Sequence, residues 1–110
     1  MSYYKEEDLG KFSEVGEFSP ELMESFFSYY NSATAEGKAL TPREKSLIAL
    51  AIAHSKKCPY CIDAFTSKCL ESGCNPMEMT EALHVAAAMD AGITLVHGVQ
   101  MKNAMKKLGV

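Results

Sequence analysis

Each of the four prolines in this 110-residue chain directly follows a residue that can cap a helix. Ser19-Pro20, Thr41-Pro42 and Asn75-Pro76 set a side-chain oxygen before the proline, and Cys58-Pro59 sets a thiol there. Proline suits the first helical position because its φ is preset and its missing N–H would have had no intrahelical acceptor. Thr41-Pro42-Arg43-Glu44 adds a glutamate three residues after the cap, which can close a capping box. These starts predict helices from Pro20 to about Ala35, Pro42 to about Lys56, Pro59 to about Ser72 and Pro76 to about Asp90. Gly37 falls near the end of the first helix, and Gly73 is the expected C′ residue of the third. Gly92 is expected to break the fourth helix, and a fifth covers roughly Thr94 to Leu108. Gly98 inside that last helix costs about 1 kcal/mol against alanine, so a close helix contact is expected there. A short extra turn is expected around Glu6 to Phe12.

No segment alternates β-branched and polar residues with period two, and no hairpin dipeptide occurs. The expectation is therefore an all-α, compact bundle of five to six helices. The length suits one domain, residues 1–110. Aromatics concentrate in the first third (Tyr3, Tyr4, Phe12, Phe18, Phe26, Phe27, Tyr29, Tyr30). That shift predicts an N-terminal helical arm, 1–38, packed on a core, 40–108, and also against a neighbouring subunit. Leu47 to Ala53 is apolar nearly all round, which predicts a central, buried helix. Ala86, Ala87, Ala88 and Ala91 suggest closely approaching helices.

Hydrophobic residues make up 47% of the chain, charged residues 23%, and the net charge is -3. That balance is globular and, with no basic run, argues against a nucleic-acid partner. No apolar stretch in the sequence reaches the length of a membrane span, so no membrane partner is expected. The segment Met1 to Asp8 is charged and polar, unlike the apolar centre of a signal peptide. A cytoplasmic location is expected. In a reducing compartment four cysteines suggest catalysis or metal binding over a structural disulfide framework.

Cys58-Pro59-Tyr60-Cys61 is the chemical centre of the sequence. Its position places Cys58 at a helix N-cap and Cys61 in the first turn, where free N–H groups and the helix dipole favour thiolate. The leading expectation is a redox-active dithiol; a soft metal site and simple packing are the alternatives. Tyr60 reads as a packing or access residue. Cys69 lies about 16 Å along a continuous helix from Cys58 at 1.5 Å per residue. That is too far for a disulfide or a shared tetrahedral metal, so Cys69 reads as a buried small hydrophobe and Cys74 as a loop thiol. No metal or other cofactor is needed. His54, four residues before Cys58, is a candidate acid/base, with a helix-end cap as the alternative. His84 could line the same cleft or be structural; His97 is a weaker case. Glu44 reads as the capping-box residue, and Glu81 as an orienter of His84. The methionines read as core.

Arg43 to His54, then Cys58-Pro59-Tyr60-Cys61-Ile62-Asp63-Ala64-Phe65, then Met79 to Ala88, resemble the core of the carboxymuconolactone decarboxylase/alkylhydroperoxidase D family. The resemblance covers roughly Leu40 to Met105. Within it, C-P-Y-C-I-D-A-F, L-H-V-A-A-A and V-H-G-V-Q-M resemble the branch called arsenosugar biosynthesis-associated peroxidase-like proteins. The resemblance implies an all-helical fold assembled as homotrimers or homohexamers. It implies a dithiol peroxidase or disulfide reductase, with a peroxide or disulfide as substrate and an external dithiol as reductant. It also implies that Cys61 attacks and Cys58 resolves, although helix position alone favours Cys58 as attacker. The family's relay glutamate falls at Ser46, its relay histidine at Phe65, and the histidine often found between the cysteines at Tyr60. Either His54, with His84, replaces that relay, or peroxidase efficiency is lost. The alternative function is a dithiol that binds a thiophilic species such as a trivalent arsenical without turnover. Lactone decarboxylation, the family's other chemistry, has no need of a dithiol.

Overall fold

The computed structural model describes residues 4–110, apart from the side chain of Glu6. Met1 and Tyr3, part of the expected polar start and aromatic arm, lie outside the described residues. A 3₁₀ segment, Glu6–Gly16, is followed by five α-helices: α1 (Pro20–Thr34), α2 (Pro42–Ser55), α3 (Pro59–Glu71), α4 (Pro76–Val96) and α5 (Gly98–Lys107). No strand occurs among the described residues.

The four proline starts hold. At α2, Glu44 N–H donates to Thr41 Oγ1 (3.1 Å) and Thr41 N–H to Glu44 Oε1 (2.9 Å). At α4, Glu78 N–H donates to Asn75 Oδ1 (2.8 Å) and Asn75 N–H to Glu78 Oε1 (3.0 Å). Each box satisfies two amides that the helix itself leaves unpaired. Arg43 then pairs with Glu78, so the starts of α2 and α4 are joined by charge.

The helix ends share one device. Gly73 N–H donates to the Leu70 carbonyl (3.1 Å) and Cys74 N–H to that of Cys69 (2.9 Å), with Gly73 at φ +86°. This is a Schellman turn, which commonly carries an apolar contact between the residues at its two ends. Here that contact is Cys69 with Cys74, both buried in the core. Cys69 is the small hydrophobe expected of it, and Cys74 is the expected loop thiol, buried as well. The end of α2 repeats the turn. Lys57 N–H donates to His54 (3.1 Å) and Cys58 N–H to Ala53 (3.0 Å), with Lys57 at φ +55°. A lysine in this left-handed region costs about 1 kcal/mol or more relative to glycine.

The core comprises Leu50, Phe65, Cys69 and Cys74, with Tyr30, Leu47, Ala64, Met79 and Leu83 packed around them. α2 sits between α3 and α4 and is central as expected, but it is not buried all round. Ser46, Leu50 and Ala53 face inward, while Ile48 and Ile52 remain about half exposed. Lys45 Nζ donates to the carbonyls of Glu36 (2.6 Å) and Ser32 (3.3 Å), closing the C-terminal end of α1 against α2.

Two expectations are corrected. Gly92 does not break α4; the chain stays helical to Val96, and His97, at φ -70° and ψ -12°, passes almost directly into α5. An internal glycine costs only about 1 kcal/mol, and no proline or capping residue follows to stop the helix. The close contact expected at Gly98 is not made within the chain: nothing lies within 4 Å of where its Cβ would be. The resulting rod, Pro76–Lys107, is long and apolar enough by length and composition to cross a bilayer, a stretch that dividing the segment at Gly92 concealed. Its first half is docked on the globule through Met79 and Leu83, and Ser55 Oγ donates to both carboxylate oxygens of Asp90 (3.0 and 2.9 Å). Beyond Asp90 the rod leaves the core.

Candidate active site at the dithiol

The 3₁₀ segment is the element that turns the start of α3 into a site. A 3₁₀-helix has three residues per turn, so residues i and i+3 eclipse. Leu9, Phe12 and Val15 therefore form one row, and all three line a cavity of about 610 Å³. Asp8 and Lys11, in the adjacent row, form an ion pair (3.2 Å) at the cavity's edge. Gly16 ends the segment where a Cβ would stand 2.5 Å from Cβ of Met23, so only glycine allows the strap this close to α1. Phe12 packs on Phe26 and Phe27 of α1 at ring-centre distances of 5.9 and 5.2 Å. Tyr4 fixes the other end: its hydroxyl donates to Asp63 Oδ2 of α3 and its ring meets Tyr60 edge-on at 4.7 Å. The remaining walls are Phe27 and Tyr30 from α1 and Tyr60, Ala64 and Phe65 from α3.

Cys58 and Cys61 open into this cavity. Cys58 is the N-cap of α3, its Sγ accepting the Cys61 N–H at 3.4 Å. Both are free thiols, half-buried, with sulfurs 2.7 Å apart. A disulfide between them needs only a small closing movement. Burial first, then the hydrogen bond to Cys58 and its charge, push the Cys61 thiol from 9.0 up to about 11. The expected lowering by the helix N-terminus is thus overridden at Cys61: desolvation and a neighbouring sulfur outweigh the helix dipole.

The histidines lie elsewhere. His54 Nδ1 is 2.9 Å from the Leu50 carbonyl of its own helix, and its ring faces a groove lined by Thr66, Leu70, Met79, Thr80 and Leu83. That groove lies between α2, α3 and α4, and His54 is absent from the dithiol cavity. His84 is exposed on α4. His97 Nδ1 lies 2.7 Å from the Ile93 carbonyl, exposed. The structure brings neither His54 nor His84 to the sulfurs. No cluster of three or more metal-ligating side chains occurs among the described residues.

Residues 20–101 match the model of the carboxymuconolactone decarboxylase family. The chain belongs to that family. It is 35% identical over 89 residues to "Uncharacterized protein 4 in cox locus" of Paracoccus denitrificans, covering 81% of this chain and 77% of that protein. It also resembles the apo crystal structure of a carboxymuconolactone decarboxylase family protein from Legionella pneumophila, with a TM-score of 0.69 and 29% identity. That likeness covers 96% of this chain and 94% of the other.

Within this member of the family, the two positions where the resemblance implies a proton relay hold core groups. Ser46 is buried and its hydroxyl donates to the Pro42 carbonyl (2.9 Å) of its own helix. Phe65 is buried in the core and presents only ring carbons to the cavity. Sequence reasoning missed Tyr30 and the Leu9–Phe12–Val15 row as parts of the site. The i, i+3, i+6 spacing of that row was the available signal.

The two sulfurs make a testable pair. Cys58→Ala removes the hydrogen bond and the charge that hold Cys61 up, leaving burial alone. A titration of thiolate absorbance should show the Cys61 midpoint fall from about 11 while staying above 9.0. An unchanged or higher midpoint would contradict the coupling.

Proposed function

We propose that this protein is a thiol-dependent oxidoreductase that reduces an organic hydroperoxide or a disulfide through Cys58 and Cys61. The observation that carries this reading is the pair of free thiols, 2.7 Å apart, at the floor of an apolar cavity. The Cys58 thiolate attacks the substrate, and Cys61 then closes an intramolecular disulfide with loss of the second leaving group. An external dithiol resets the pair, which suits a reducing compartment such as the cytoplasm. The aliphatic and aromatic walls favour a substrate with an apolar body over hydrogen peroxide. The attack order is the reverse of that implied by the family resemblance. It rests on the proton that burial and Cys58 keep on Cys61, and on the Cys61 N–H that Cys58 accepts. His54 and His84 are assigned no step, because they face other surfaces.

Cysteine variants test this. Cys58→Ser should lower hydroperoxide consumption by about a thousandfold or more. Cys61→Ser should leave a sulfenic acid on Cys58 that a dimedone-type probe traps. Label on Cys61 in the Cys58→Ser variant would restore the family order. A stable one-to-one adduct with a trivalent arsenical, without hydroperoxide consumption, would replace the enzyme with a binding protein.

The chain is also proposed to assemble as a homotrimer or homohexamer. Its radius of gyration is 18.8 Å, against about 13 Å for a compact chain of about this length. Val85, Met89, Ile93 and Val96 form an exposed stripe at helical spacing along the rod, and such stripes are covered in stable folds. Within the chain the aromatic arm packs chiefly on itself, the strap against α1, with smaller contacts to α2 and α3, and it leaves Phe18 and Tyr29 exposed. Light scattering at micromolar concentration should return a multiple of three chains; a stable monomer would refute the assembly.

A further inference from the structure

A thiolate that cleaves an O–O bond releases an alkoxide, and the dithiol cavity must supply it with a proton. The relay positions hold Ser46 and Phe65, and the histidines face elsewhere. Asp8 and Lys11 are paired with each other at the cavity's edge. Two phenols remain, Tyr30 and Tyr60. Tyr60 lies on α3 between the cysteines, its ring against Tyr4. Tyr30 projects from α1, the opposite wall. Its ring is fixed among Phe26 (5.4 Å), Phe27 (6.5 Å) and the core. Its hydroxyl has no hydrogen-bond partner among the described residues, although it sits in an otherwise apolar wall. Water can reach this hydroxyl, so an oxygen of a bound ligand can take that water's place on it.

We propose that Tyr30 is the catalytic acid of the dithiol reaction, its hydroxyl donating a proton to the oxygen that leaves when Cys58 attacks a hydroperoxide. This rests on the thiol-oxidoreductase reading above. In the first step the Cys58 sulfur bonds to the terminal oxygen of R–O–O–H and the O–O bond breaks. The oxygen is reduced, the sulfur is oxidised to a sulfenic acid, and RO⁻ takes the Tyr30 proton to leave as ROH. The Tyr30 phenolate then takes the Cys61 proton. The Cys61 thiolate displaces hydroxide from the Cys58 sulfenic acid, forming the disulfide. That hydroxide takes up the proton Cys58 had lost to solvent and leaves as water. Burial, then the charges of Cys61 and Cys58, raise the Tyr30 pKa above 10.0. The phenol is therefore protonated at neutral pH, and the Cys61 thiol, whose charge acts on it, is similarly raised.

The test compares leaving groups in single-turnover oxidation of the reduced full-length protein. Cumene hydroperoxide must release a strongly basic alkoxide; perbenzoic acid releases benzoate, which needs no proton. Tyr30→Phe should slow oxidation by cumene hydroperoxide by about 10²- to 10⁴-fold, with no comparable loss toward perbenzoic acid. Equal losses toward both oxidants would make Tyr30 a wall residue and overturn the proposal, as would no loss toward either. A selective loss in Tyr60→Phe instead would overturn it by moving the acid to Tyr60. Wild-type protein oxidised by perbenzoic acid but not by cumene hydroperoxide would overturn this proposal and leave the dithiol reading standing. Wild-type protein oxidised by neither would overturn the dithiol reading itself, and this one with it.

Discussion

The turn between α2 and α3 is closed twice at Cys58, and the site depends on that double closure. The backbone N–H of Cys58 completes the Schellman turn that ends α2 by donating to Ala53. Its sulfur then caps α3 by accepting from Cys61. One residue thus fixes the direction of both helices and holds its own thiol at the first turn. Lys57 is held left-handed between them, so the turn is maintained against a backbone preference. Ala53 is buried beneath it, so loosening this corner would disturb the core and the dithiol together. The matching corner after α3 is built from Cys69, Gly73 and Cys74 without any opening to a cavity. The same local geometry thus yields a pair of thiols facing a cavity at one end of α3 and a packing contact at the other. Access to a cavity, not the presence of two thiols, separates the two.

The cavity comes from a different physical source. A 3₁₀ strap with period three lays Leu9, Phe12 and Val15 over the start of α3, and Tyr4 anchors its near end to Asp63 and Tyr60. Such walls exclude water, and that cuts both ways. Desolvation strengthens polar interactions inside the cavity, yet it also holds Cys61 protonated. On the proposed reading, a leaving alkoxide would draw its proton from one of the few polar groups that face inward.

The helix starts and the dithiol's place at an N-cap were legible in the sequence, because each is set by residues adjacent in the chain. The capping box at Thr41, the N-cap at Asn75, the C′ position of Gly73 and the separation of Cys69 from Cys58 follow from local rules alone. What was illegible depends on sums over longer spans. Gly92 looks like a break when read singly, but one glycine does not outweigh the helix formers on both sides. Placing His54 near Cys58 used distance along the chain, whereas its place on α2, ring nitrogen against the Leu50 carbonyl, puts it in the groove facing α4. The apolar run from Leu47 to Ala53 suggested burial on every side, but α2 has neighbours within the chain on only part of its surface, and Ile48 and Ile52 are left half exposed. The strap's row and Tyr30 join the site only through tertiary packing, which no local pattern reports.

The most direct measurement treats fully reduced protein with one equivalent of an organic hydroperoxide, counts the remaining thiols and maps any bridge by peptide digestion. The expected result is the loss of two of the four thiols per chain, both in a Cys58–Cys61 disulfide, with Cys69 and Cys74 still free. Four thiols surviving, or a dominant bridge that includes Cys69 or Cys74, would contradict the assignment of the dithiol cavity as a redox site.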